Sequence, residues 1–119
     1  MTTNQIANRL VELCRKGDYE TAQKELFAEE AISIEPYATP AFEKETKGLT
    51  SILEKGEKWG AMVEKTNKLE VSSPIVAENA FAFTMHLDVN MKERGNMDIK
   101  ELCVYTVKDG KIVAEEFFM

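Results

Sequence analysis

Four glutamates fall where strands would turn them toward an interior: Glu35, directly before Pro36; Glu101, in a long apolar run; and the adjacent pair Glu115 and Glu116. A carboxyl group facing an apolar pocket is raised in pKa by desolvation, which makes it usable as an acid or base near neutral pH. Glu35 ends the alternating segment Ala31 to Glu35, in which Ile32 and Ile34 take one face and Ser33 and Glu35 the other. If that second face lines a cavity, Glu35 looks into it as a general base. The register of the last hairpin decides between the paired acids. A turn through Lys108-Asp109-Gly110 with a glycine bulge puts Glu101, Cys103 and Tyr105 on one face with Val113, Glu115 and Phe117; a two-residue turn brings Glu116 there instead. Tyr37, Trp59, Phe83, Met85 and Phe117 supply apolar and aromatic lining for such a cavity, alongside Glu101, Cys103 and Tyr105.

Other chemistries lack their residues. His86 is the only histidine, and no D-x-D-x-D-G loop is present, so no metal site is expected. There is no G-x-S-x-G elbow and no glycine-rich phosphate loop, and no cofactor is implied. Cys14 and Cys103 belong to no C-x-x-C pair and read as buried apolar thiols. His86 shares its strand face with Ala82 and Thr84, opposite the aromatic side, and reads as a surface or interface residue.

The elements that must position these groups follow from periodicity. Ile6, Leu10, Leu13 and Cys14 fall at helical spacing, with Thr2 and Gln5 as a capping box and Gly17 as the stop. Asp18 caps a second helix with the stripe Tyr19, Ala22 and Leu26. A loop holding Pro36 and Pro40 follows the first strand and has the makings of a lid or rim. Gly48 opens a third helix whose stripe is Leu49, Ile52, Gly56, Trp59 and Val63, and the pair Gly56 and Gly60 on its apolar side predicts close approach to another backbone. From Asn67 the period becomes two. Phe81, Phe83, Met85, Leu87 and Val89 share a face, turns fall at Glu78-Asn79 and Gly95-Asn96, and Asp109-Gly110 marks the last hairpin. Helices followed by a run of hairpins predict an α+β fold with the helices on one face of an antiparallel sheet. Leu102 and Val104 leave the other face apolar too, so a second subunit is expected against it.

The chain has 119 residues and reads as one domain, 1–119. Its net charge of −6, with no cluster of Lys and Arg, argues against nucleic acid and against an anionic membrane surface. No window approaches a membrane span, and no signal peptide is visible at Met1 to Gln5, so a cytoplasmic location is expected.

Gly17-Asp18, then Leu26 to Ala31, then Glu35-Pro36 resembles the opening of the nuclear transport factor 2-like superfamily, which includes SnoaL-like polyketide cyclases and ketosteroid isomerases. Ala80 to Thr84 and Lys108 to Val113 are similar to its sheet strands. The resemblance implies a cone-shaped, cystatin-like roll, three helices on a curved antiparallel sheet around a pocket, and a homodimer across the outer sheet face. It also implies that Glu35 stands where ketosteroid isomerases carry their Asp base. The positions of that family's oxyanion donors hold Leu10 and Leu102 or Cys103, leaving Tyr105 as a substitute donor. The expected function is binding of a small apolar or amphipathic molecule in an internal pocket. The alternatives are an isomerase or cyclase using Glu35, and a non-catalytic dimeric interaction module.

Overall fold

The computed structural model describes all of residues 1–119. Helix α1 (Thr3–Arg15) starts with a reciprocal cap, in which the Gln5 N–H donates to the Thr2 hydroxyl and the Thr2 N–H donates to the Gln5 side chain. The chain turns at Gly17, whose φ of 71° is open to a residue without Cβ. Asp18 accepts from the Thr21 N–H to cap α2 (Tyr19–Leu26). The chain then passes straight into β1 (Phe27–Ile34), four residues earlier than the alternation at Ala31 predicts. The loop after it folds back so that the Glu35 N–H donates to Lys44 O at 2.7 Å, then forms the short strand β2 (Glu45–Lys47). Gly48 caps α3 (Leu49–Met62). That helix ends one residue short of the predicted stripe, because Val63 is already extended and begins β3 (Val63–Val71). Strands β4 (Ile75–Val76), β5 (Ala80–Met91), β6 (Gly95–Lys108) and β7 (Lys111–Phe118) complete the chain.

The strands form one seven-stranded sheet in the order β2-β1-β7-β6-β5-β3, with β4 added on β5. The fold is α+β, with three helices on the sheet. The sheet is mixed where an all-antiparallel one is expected, because β1 runs parallel to β7. A hairpin turn forces its strands antiparallel, and the β5–β6 and β6–β7 pairs obey that constraint. No turn links β1 to β7. Most of the chain lies between them, so their direction is free of that constraint.

The last hairpin combines the two registers considered above. Asp109 and Gly110 both have positive φ, 52° and 76°, and form a two-residue turn that pairs Lys108 with Lys111. The ladder then slips between Val107↔Ile112 and Thr106↔Ala114, and Val113 is the extra residue. The slip returns Glu115 to the inner face opposite Tyr105 and leaves Glu116 opposite Val104. Gly56 and Gly60 do not meet another backbone: a Cβ at Gly56 would meet only the Gln23 side chain, at 3.7 Å, and one at Gly60 would meet nothing within 4 Å.

The core lies between the helices and the inner sheet face. Ile6, Leu10, Leu26 and Ile52 pack over Phe27, Phe81, Phe83, Cys103, Tyr105 and Ile112. The Tyr105 ring stacks on both Phe81 and Phe83, with centroids 5.1 and 5.5 Å away. No helix is long and apolar enough to cross a membrane. Phe83→Ala is expected to lower unfolding free energy by roughly 3–5 kcal/mol in urea denaturation, the cost of a large cavity in a packed stack. A loss near zero would place Phe83 outside the core.

Candidate functional site

Strand register lays the inner face out in rows that run across the sheet. The first row is Ser33, Glu115, Tyr105 and Phe81, contributed by β1, β7, β6 and β5. The second is Phe117, Cys103 and Phe83. The third is Glu101, Met85 and Val71; the fourth is Ile99, Leu87 and Leu69. All of the first row is buried. In the second only Phe117 is half-exposed, and in the third only Glu101 is. All three apolar side chains of the fourth row are half-exposed. Beyond them Val89 and Met91 are buried again. The fourth row is therefore an apolar strip with open surface between two sealed regions, and Glu101 stands at its edge.

Ser33 and Glu115 are the two buried polar residues of the chain, at 0% and 4% exposure. Lys55 reaches them from α3. It lies three residues after the buried Ile52 and four before Trp59, so it shares their helix face. The Lys55 ammonium donates to Ser33 Oγ at 2.6 Å and to Glu35 Oε2 at 2.9 Å. The Ser33 hydroxyl donates in turn to Glu115 Oε2 at 2.7 Å. The result is a directed chain from Lys55 through Ser33 to Glu115, with Glu35 as the second anchor of the ammonium. The Lys55 Nζ also lies 5.9 Å from the centroid of the Phe117 ring.

The electrostatics follow from one cation among three carboxyl groups. Burial pushes the Glu115 carboxyl up, while the hydrogen bond from Ser33 and the charge of Lys55 pull it back. No protein hydrogen bond or ion pair reaches Glu101, and since no fully buried side-chain oxygen is left unpaired, its carboxyl oxygens touch solvent. Burial, then the charges of Glu35 and Glu115, push it up to about 7, against a smaller opposing effect of Lys55. Burial likewise raises Tyr19, at the start of α2, to about 12, with Glu101 among the charges adding to the shift. Glu101 thus exchanges a proton near neutral pH in an apolar setting, the property expected above of Glu35. Glu35 is half-buried and serves as the ion-pair partner of Lys55.

Of the other residues picked out by sequence, Met85 and Phe117 flank Glu101 and Lys55 on the inner face. Phe83, Cys103 and Tyr105 are sealed in the core. Tyr105 lies beneath Glu115, and its hydroxyl favours the ionised form of that carboxyl, so it is not open to a ligand as a donor. Trp59 is half-buried and packs on Phe42 of the loop at 6.5 Å between centroids. Tyr37 is 59% exposed on the outside of that loop, because β1 ends at Ile34 and the chain turns away after Glu35. Leu10 is buried, Leu102 points to the outer face, and Cys103 is on the inner one. His86 is on the outer face, paired with Asp98. No group of three or more His, Cys, Asp or Glu side chains is placed to hold a metal ion. The sequence places Ser33 on the face of Glu35 without marking it as a site residue, and it does not single out Lys55. The helical spacing Ile52, Lys55, Trp59 was the available sign that a lysine lies in an apolar stripe.

The SnoaL-like domain family model matches residues 1–119. No curated protein matches the chain. A Mesorhizobium loti protein provisionally assigned as a SnoaL-like polyketide cyclase is 29% identical, with each chain covered in full and a TM-score of 0.92. An NTF2-like protein of Burkholderia thailandensis is 16% identical over 99% of this chain and 90% of its own, with a TM-score of 0.83. TerC, co-crystallised with polyporic acid, is 15% identical over 99% of this chain and 92% of its own, with a TM-score of 0.76. The last two likenesses concern the fold.

Because the folded state raises the Glu101 pKa, it holds that proton more tightly than the unfolded chain does. Its contribution to stability is complete below about pH 4.5, the unfolded value, and is lost as pH rises to about 7. The loss is on the order of 3 kcal/mol by one-unit conversion of the shift. Glu101→Gln is therefore expected to flatten the stability–pH curve between those limits and to be more stable than the wild type at pH 8. Parallel curves for the two proteins, measured by urea denaturation, would mean that Glu101 titrates normally.

Proposed function

The chain belongs to the SnoaL-like domain family, and we propose that it binds a small apolar or amphipathic carbonyl compound against the inner sheet face and shuttles a proton on it. The observation that carries this reading is Glu101, an unpartnered carboxyl at the edge of the half-exposed strip formed by Leu69, Leu87 and Ile99. The apolar strip holds the body of the ligand by exclusion of water. Glu101 takes a proton from the carbon next to the carbonyl and returns it, either to the same carbon or to another. The fold is one in which relatives bear names of polyketide cyclases, and TerC was crystallised with an organic acid. Glu35, the base expected from its place before Pro36, has Lys55 as a competing partner and so ranks second for the role. In this reading the protein works in the cytoplasm without a cofactor, in keeping with two free, buried cysteines.

The same reading includes a homodimer through the outer sheet face. Leu102 and Phe118, 41% and 46% exposed, border an open groove of about 700 Å³ that His86 and Lys100 also line and that reaches Val71, Met85 and Glu101 of the inner rows. Native mass spectrometry is expected to find a dimer that Phe118→Glu converts to a monomer. A wild-type monomer would remove the dimer from the proposal.

The chemistry is tested by exchange of solvent deuterium into a panel of ketones, followed by NMR. The wild-type rate is expected to rise with pH to a plateau, with its midpoint near the Glu101 value of about 7. Glu101→Gln should lower that plateau by roughly 10²–10⁴-fold, the usual contribution of a positioned acid or base. A loss confined to Glu35→Gln would transfer the role to Glu35. Absence of exchange with every ketone would leave binding without turnover.

A further inference from the structure

Taking a proton from carbon leaves negative charge on the carbonyl oxygen, and the site needs a donor for it. The residues that stand at the expected donor positions do not serve. Leu10 has no polar atom, Leu102 faces the outside, and Cys103 is a sealed thiol that burial keeps protonated. Tyr105 is closed off beneath Glu115. The inner face nonetheless holds one strong donor, which neither the sequence reading nor the family comparison assigns.

We propose that Lys55 is the oxyanion donor of this site, its third N–H meeting the carbonyl oxygen of a neutral ketone or related enolisable carbonyl compound. The proposal rests on the carbonyl-binding reading above. An ammonium group has three N–H donors. Two are spent, on Ser33 Oγ and Glu35 Oε2, and no third protein acceptor takes the last. Those two bonds fix the direction of the third, which is what preorganisation of a donor requires. Ser33 is itself fixed, because its proton is committed to Glu115. Ser33 and Glu115 are thus positioning residues, and Lys55 is the group that touches the ligand.

Charge bookkeeping also names the class of ligand. Glu35, Glu101 and Glu115 face the one cation, so the site carries no surplus positive charge for a carboxylate or phosphate. A neutral carbonyl fits without adding charge. When Glu101 acts, the C–H bond breaks, the proton forms an O–H bond on Glu101, and the electron pair becomes the C=C of the enolate. The negative charge leaves the Glu101 carboxylate and appears on the ligand oxygen beside Lys55. The total charge of the cavity is unchanged across the step, and the reverse step delivers a proton or deuteron from Glu101.

The test is deuterium exchange into cyclohexanone and indanone by the full chain, as a function of pH and ketone concentration. Lys55→Met removes the donor and keeps the length of the side chain. Its plateau kcat is expected to fall roughly 100- to 1,000-fold, with a smaller change in KM, the pattern for loss of an oxyanion donor. The midpoint should move to higher pH, because Lys55 holds the Glu101 carboxyl down. Lys55→Arg, which keeps charge and donors, should restore most of the plateau. Ser33→Ala should lower the plateau with KM nearly unchanged and Glu101 still titrating. If Lys55→Met fails to show a cooperative thermal transition, the Arg and Ala variants decide: a full plateau in Ser33→Ala and none in Lys55→Arg overturns the proposal. A wild type that exchanges, loses exchange in Glu101→Gln and keeps its plateau in Lys55→Met overturns the role of Lys55 alone. A wild type inert to both ketones overturns the proton-shuttling reading and the role of Lys55 together.

Discussion

The buried carboxyl of Glu115 is the constraint around which the inner site is arranged. An ionised carboxylate taken out of water costs several kcal/mol unless partners compensate it. Its partners come from other elements: the Ser33 hydroxyl from β1, the Lys55 ammonium from α3 and the Tyr105 hydroxyl from β6. None of these is near Glu115 in sequence, so the compensation exists only when β1, β6, β7 and α3 are all docked. The Ser33↔Glu115 register of the parallel pair and the Tyr105↔Glu115 register of the hairpin must hold together. The extra residue at Val113 makes that possible, since without the slip Ala114 would lie opposite Tyr105, Glu116 would lie opposite Cys103 and Glu115 would face outward.

Satisfying Glu115 in this way determines what is left for Glu101. One lysine cannot neutralise three carboxyl groups, and its two closest polar partners are Ser33 and Glu35. Glu101 receives little of its charge, and burial, then the charges of Glu35 and Glu115, retain its proton to about pH 7. A fold optimised for stability alone would have an apolar side chain there. The rows on either side are apolar: Cys103 and Phe83 below, Leu87 and Ile99 above. An isolated acid in that setting is destabilising when charged, which is the usual sign of a group kept for chemistry or ligand contact.

Much of the frame was legible because it depends on local chemistry. Thr2 with Gln5, Asp18, Gly48 and Asp109-Gly110 mark boundaries through hydrogen bonds or φ values within a few residues, and each does so in the structure. The alternation at Ile32 to Glu35 correctly put Ser33 and Glu35 on one side. What escaped depends on contacts distant in sequence. The parallel pairing of β1 with β7 has no turn to announce it. The slip at Val113 follows a turn that by itself predicts the opposite face for Glu115. Lys55 reads as an ordinary solvated lysine until Ser33 and Glu35 are placed beside it. Gly56 and Gly60, read as a close-packing signal, instead lie near no other backbone.

The resemblance to ketosteroid isomerases and the geometry diverge at the same place for a reason that the charges explain. An acid before the strand-ending proline works as a base only if nothing else claims it. Here α3 carries a lysine within 2.9 Å of Glu35, so that acid becomes part of a cation's setting. Leu10 and Cys103, where the resemblance implies oxyanion donors, are buried core, and the donor proposed in their stead is Lys55. With Glu35 engaged, the one inner carboxyl lacking a partner is Glu101, on the neighbouring strand of the sheet from Phe117 and two rows from Glu115. In the proposed reaction the engagement of Glu35 by Lys55 and the raised pKa of Glu101 are linked: one cation among these carboxyl groups decides which acid is left without a partner and which group stands ready for the charge that the acid releases.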